Sequence, residues 1–197
     1  MSGSYPRSRG LALAATFASL ISVTSPLSLS IGPVPITLQV FFVYLAAFLL
    51  GPSYGALSMG IYLLLGALGL PVFAEFHAGT VTLFGPTGGY LFGFLVVSFL
   101  GGLIAGHRSA TRSGDTARLS LSALVCLVVV YLFGVVWLSY FVGGLYNAIV
   151  FGLLPFIAID VIKAVVAVPI AVGLRWSTLQ LPVNKQRDAP AVGQTPA

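Results

Sequence analysis

Apolar residues run along this chain in six blocks, at roughly 11–29, 36–50, 53–70, 87–106, 119–141 and 152–174, parted by short breaks rich in Gly and Pro. A helix rises about 1.5 Å per residue and the hydrocarbon core of a bilayer is about 30 Å thick, so a block of about 20 residues predicts one transmembrane helix. The second and third blocks are short and are separated only by Gly51-Pro52. That pair predicts a tight turn between antiparallel helices, because one bent helix over 36–70 is too long for a single crossing. The expected fold is an all-α polytopic membrane protein with six transmembrane helices in one compact domain over residues 11–177. Residues 1–10 read as a cytoplasmic N-terminal segment. Residues 178–197 are polar with three prolines and read as a disordered cytoplasmic tail.

Composition turns this pattern into a class. The chain is 58% hydrophobic and 7% charged, against roughly 25% charged in an ordinary soluble domain. The charges also orient it. Of nine Lys and Arg, one is Lys163 inside the last apolar block. With six crossings the other eight fall on one side, with both termini, the 50–54 turn and the 107–118 loop. The opposite loops, 30–35, 71–86 and 142–151, carry none. The positive-inside rule makes the basic side the cytoplasm. Arg7 and Arg9 ahead of LALAATFASLI resemble a secretory signal, with SVTS as its cleavage site. Cleavage would leave five crossings and split the basic residues, so a retained first helix is the more consistent reading. The net charge of +5 does not point to nucleic acid, since no aromatics interleave with the basic residues.

Asp160 and Lys163 are the only charges within the apolar blocks. Three residues apart on a helix, they share one face about 4.5 Å apart along the axis. With the last helix starting near Pro155, a favoured first-turn residue, the pair lies about 7–12 Å below its outer end. An ionisable residue in a membrane is costly and marks function by default. The pair is therefore the expected centre of a small-molecule pocket opening outward. The competing reading is a scaffolding subunit in which the pair only clamps helices together.

The long outer loop carries Glu75, His77 and the run GPTGGY ending at Tyr90, and such Gly- and Pro-rich chain can fold over a pocket as a lid. Tyr146 and Asn147 could line the same mouth, as could Gln39 near the outer end of the second helix. In the first helix Ala14, Ala18 and Ser22 repeat at small-xxx-small spacing, which lets an internal neighbour or a partner protein approach closely. There is no GxxxxGK[ST] phosphate loop, no HExxH and no Cys/His metal spacing, and Cys126 is the single cysteine. No cofactor or metal is expected. An intramembrane serine protease is disfavoured because His77 is external and His107 lies at the cytoplasmic edge.

Four stretches, GPVPITLQ, GLPVFA, GPTGGYLFGF and PFIAIDVIK, closely resemble the BioY family over about residues 10–175. These are the biotin-specific substrate-binding subunits of energy-coupling factor transporters. The resemblance implies biotin as ligand, the lipid bilayer as setting, and a complex with a transmembrane coupling subunit and two ATP-binding cassette ATPases. It implies that Asp160 and Lys163 bind biotin, that the loop from His77 through Gly88, Gly89 and Tyr90 contributes, and that the first and third outer loops close over the ligand. It further implies that the first helix meets the coupling subunit through small residues, matching Ala14 and Ala18. Some members carry an Arg directly after GGY, where this chain has Leu91. The ligand carboxylate is then expected to depend more on Lys163 and loop amides. On this reading Asp160 accepts ureido hydrogens or orders Lys163, Lys163 donates to a ligand acceptor, and Tyr90, Phe73 and Tyr146 pack on the rings and tail.

Overall fold

The structure is a computed structural model and describes residues 7–30 and 33–177. The tail over 178–197 and the first six residues lie outside the described residues, so the expected disordered tail does too. Seven helices are found among the described residues: α1 (Arg7–Thr24), α2 (Gln39–Ala67), α3 (Thr80–Leu83), α4 (Gly88–Ala105), α5 (Arg112–Ser139), α6 (Leu145–Gly152) and α7 (Leu154–Trp176). A single 3-10 turn covers Ala74–Phe76. Four helices, α2, α4, α5 and α7, are long and apolar enough to cross a membrane.

The helical stretch α2 reverses on itself. Gly51 has φ 76°, outside the helical region, a conformation that costs glycine little, and Pro52 suits the first turn of the returning half. A Cβ on Gly55 would stand 3.3 Å from the Cα of Ala47, whereas eight residues of straight helix span about 12 Å. Ser25 at the end of α1 bonds both Gln39 and Tyr62, from the two ends of α2. The Gly-Pro turn between antiparallel helices is therefore present.

The halves of α2 pack against α4 and α1, α4 packs against α5, and α7 closes on α5 and α2. One continuous apolar core runs between them, with Tyr44, Tyr62, Phe48, Phe73 and Met59 almost fully enclosed. Lipid-facing positions stay exposed, among them Val128, Leu132, Ile162 and Val165, as a bundle solvated by hydrocarbon requires. Glycines set the closest approaches: a Cβ on Gly102 would meet the Gly51-Pro52 backbone at 2.5 Å.

Three boundaries differ from the sequence expectation. Helix α5 begins at Arg112, before the apolar block starts, because Thr111 caps it through Gly114 N at 3.1 Å. The 142–151 loop is mostly the short helix α6. The first loop forms a small antiparallel hairpin, β1 (Ser28–Ser30) with β2 (Pro35–Thr37), in which Leu29 faces Ile36.

One correction concerns α1. Ala14 and Ala18 are 0% and 1% exposed, on the helix that packs against α2. Their small side chains serve an internal helix contact and are not available to a partner protein. Ser22 is part-buried, and its hydroxyl is enclosed without a hydrogen-bond partner.

Candidate ligand site

At the end of the bundle remote from most of the basic residues lies a cavity of about 320 Å³. Its walls come from the β2 loop, the 73–87 loop and helices α2, α4, α5 and α7. Asp160 and Lys163 form its charged wall, at 8% and 9% exposure. The helical i, i+3 spacing brings Lys163 Nζ to 2.7 Å from Asp160 Oδ1. Nζ also donates to the Thr37 carbonyl at 2.6 Å, which fastens the first outer loop to α7. An ammonium has three N–H bonds, so one is left over for a ligand. Tyr131 of α5 donates to Asp160 Oδ2 at 2.8 Å. Each carboxylate oxygen thus has one protein donor and retains a lone pair.

The apolar walls are equally ordered. Tyr90 donates to the Gly152 carbonyl at 2.7 Å, satisfying a backbone group at the end of α6, and stands edge-on to Tyr131 with centroids 6.3 Å apart. Phe73 is 1% exposed and edge-on to Tyr62. Trp137 Nε1 donates to the Gly85 carbonyl at 2.9 Å and so pins the Gly-Pro loop against α5. At the mouth, Glu75 and Phe76 have φ of 57° and 60°, a left-handed backbone that costs non-glycine residues energy and clusters at binding sites. The Glu75 amide donates to Ser28 Oγ at 3.0 Å, joining the two outer loops.

Of the residues singled out in the sequence, Asp160, Lys163, Tyr90, His77, Gln39 and Phe73 all line this cavity, and so does Leu91. Four others do not. Tyr146 is 79% exposed on α6, and Asn147 spends its amide on the Val142 carbonyl at 2.9 Å. Gly88 and Gly89 instead make room for packing: a Cβ there would collide with the Leu83 carbonyl and with Trp137. Sequence reasoning missed Tyr131 and Thr37. Neither has a spacing relation to Asp160 or Lys163. The one available signal was a polar-tipped aromatic inside an apolar block, which needs a partner when buried.

Comparison with known proteins decides what kind of chain carries this cavity. Residues 1–180 match the BioY family. The chain belongs to the BioY family. It is similar to a probable biotin transporter BioY of Pyrococcus horikoshii, 46% identical over 172 residues, 87% of this chain and 99% of that protein. It is likewise similar to a biotin transporter BioY of Thermotoga maritima, 46% identical over 167 residues, 85% of this chain and 96% of the other. Its fold matches the crystal structure of the S-component for biotin from an ECF-type ABC transporter, with a TM-score of 0.77 and 32% identity. That match covers 87% of this chain and 93% of the other. In this BioY family member the two motif stretches nearest the charged pair, GPVPITLQ and PFIAIDVIK, meet at the Lys163–Thr37 bond.

A second charge cluster lies at the far end. Asp115 is 0% exposed. Its carboxylate accepts from Ser109 N at 2.8 Å, Trp176 Nε1 at 2.7 Å and Arg175 at 3.3 Å. Arg175 also donates to the carbonyls of Phe48, Ala105 and Gly106, the orphan acceptors where α4 and the first half of α2 end. Arg108 stacks over Trp176 at 4.3 Å.

Proposed function

We propose that this chain is the biotin-capturing subunit of a vitamin uptake system in the plasma membrane. The observation that carries the reading is the Asp160–Lys163 pair in the wall of an open-mouthed, mostly apolar cavity, in a member of the BioY family. Biotin has a ureido ring with two N–H donors and a carbonyl, an apolar bicycle and tail, and a carboxylate. The cavity offers acceptors on Asp160, a donor on Lys163, and the rings of Tyr90, Phe73 and Tyr131 along the same lining. Charge-assisted hydrogen bonds in a desolvated pocket are roughly twice as strong as neutral ones. A pair serving only as a clamp would need no such cavity beside it.

The chain crosses the membrane six times, counting α1, the two halves of α2, α4, α5 and α7, with both termini in the cytoplasm. The support is the Gly51 reversal and the placement of Arg108, Arg112, Arg118 and Arg175 opposite the cavity. The cavity then opens outward, under the β hairpin and the 73–87 loop. Membership of the BioY family places the chain among transport proteins rather than enzymes. It has no phosphate-binding loop, so uphill uptake draws on partner subunits, a transmembrane coupling protein and two ATP-binding cassette ATPases.

Calorimetric titration of the purified protein with biotin tests the reading. Saturable one-to-one binding is expected, weakened at least tenfold by Asp160→Asn or Lys163→Met in protein that still inserts. Unchanged affinity in both variants defeats the assignment.

A further inference from the structure

The chain has nine Lys and Arg against four Asp and Glu, and three of those four acids are placed. Glu75 stands at the cavity mouth and Asp160 in the cavity wall. Asp115, at the far end, is fully buried, with Ser109 N, Trp176 Nε1 and Arg175 as its donors. The fourth, Asp188, lies outside the described residues, in a stretch that also holds Lys185 and Arg187 and so brings no net negative charge. The far end therefore carries more cations than anions. Arg108 and Arg112 show this most sharply. Among the described residues neither has a carboxylate at ion-pair distance. Their guanidinium carbons lie 4.3 and 5.7 Å from the centre of one ring, that of Trp176. An indole face attracts a cation through its quadrupole but has no net charge to cancel it. Two like charges are thus gathered at one ring, and the anion that balances them comes from outside the chain.

The surroundings of the ring narrow the kind of anion. Trp176 ends α7 and is tethered through Nε1 to Asp115, and a Trp at the end of a membrane helix sits at headgroup level. The ends of α4 and α7 are joined there, because Arg175 donates to the carbonyls of Ala105 and Gly106. One step toward the bilayer centre both helices are apolar and bare: Leu103 in the last turn of α4 is 52% exposed and Leu174 of α7 is 40% exposed. Paired cations above bare apolar helix suit an amphiphile better than an acidic protein segment. We propose that Arg108, Arg112 and Trp176 form a binding site for an anionic phospholipid, whose phosphate the two guanidinia receive while its acyl chains lie along the ends of α4 and α7. The guanidinium fork matches phosphate oxygens in pairs, and basic pockets between membrane helices on the cytoplasmic side take such headgroups. The site is remote from the cavity and stands apart from the biotin reading.

Native mass spectrometry of the purified full chain, titrated in detergent with phosphatidylglycerol or phosphatidylcholine, tests this. The wild type is expected to bind one phosphatidylglycerol at least tenfold more tightly than phosphatidylcholine. Arg108→Gln with Arg112→Gln should reduce that preference below threefold. Arg112→Gln alone, at an exposed position, should lose at least threefold and replaces the double variant if that one does not fold. Arg118→Gln is the control for diffuse charge, since Arg118 reaches the His107 carbonyl at 3.4 Å and not the ring; a loss below twofold is expected. Arg108→Lys with Arg112→Lys keeps both charges but not the fork, and should lose at least threefold. No preference in the wild type, an undiminished preference in the glutamine variants, or an equal loss in Arg118→Gln overturns the proposal. So does displacement of the lipid by an equal concentration of inorganic phosphate, which would make this a site for a free anion. Retention of biotin binding by the glutamine variants leaves the functional reading standing whichever way the lipid result falls.

Discussion

At the scale of single residues, the charged wall of the cavity is a balance between a costly burial and its compensation. Two charges taken out of water are stabilised only where geometry and further hydrogen bonds are good. Here Asp160 has Lys163 and Tyr131, and Lys163 has Asp160 and Thr37. Removing one charge strands the other, at a cost of about 3–5 kcal/mol, whereas removing both together is often neutral. Lys163→Met or Asp160→Asn alone is therefore expected to lower the melting temperature in detergent. The double variant should melt closer to wild type than either single one, and still fail to bind biotin. Tyr131→Phe removes one neutral donor to a charged acceptor, a contribution of roughly 1.5–3 kcal/mol. Biotin affinity is expected to fall by threefold or more, read by titration, because Asp160 loses the bond that holds its orientation while the ion pair stays.

At the scale of elements, α7 carries both ends of the molecule: Asp160 and Lys163 in the cavity wall and Arg175 in the far cluster. The two should be separable. Arg175→Ala leaves Asp115 as a fully buried carboxylate without its cation and frees the terminal carbonyls that the guanidinium serves. A marked drop in melting temperature is expected, with biotin affinity within about twofold of wild type in protein that remains folded. A loss of affinity equal to that of the Lys163 variant would mean that the two ends are coupled. This contrast also marks what could be read from sequence. Asp160 and Lys163 stood out because they interrupt an apolar block, and the helix period put them on one face. Gly51-Pro52 announced its turn because few residue pairs punctuate a helix so strongly. Asp115 and Arg175 sit just beyond apolar blocks, where a charge reads as an ordinary interfacial residue. Only the packing of α5 against α7 reveals that they meet. Tyr131 and Thr37 were hidden for the same reason: their partners are 29 and 126 residues away. The stripe of Ala14 and Ala18 was legible as a close-contact face but not as to which helix it contacts, since any neighbour benefits equally from small side chains.

At the scale of the whole molecule, the asymmetry between the two ends is the functional statement. One end collects outer loops, a cavity and a single buried cation. The other collects Arg108, Arg112, Arg118 and Arg175, with Arg108 and Arg112 stacked on Trp176. Interfacial arginines orient a bundle because they are retained on the cytoplasmic side, so the cavity end should be the one reached from outside. The chain offers a direct test, because its sole cysteine, Cys126, is 1% exposed and packed against α4. In a Cys126→Ser background, a cysteine placed at His77, at the cavity mouth, should react in intact cells with a membrane-impermeant maleimide. A cysteine placed at Arg112 should react only after the cells are opened. Excess biotin should slow the reaction at position 77 and leave position 112 unchanged, since only the first lines the cavity. Labelling of position 112 from outside would invert the molecule. It would turn the pocket toward the cytoplasm, where a subunit meant to capture scarce vitamin from the surroundings could not meet it.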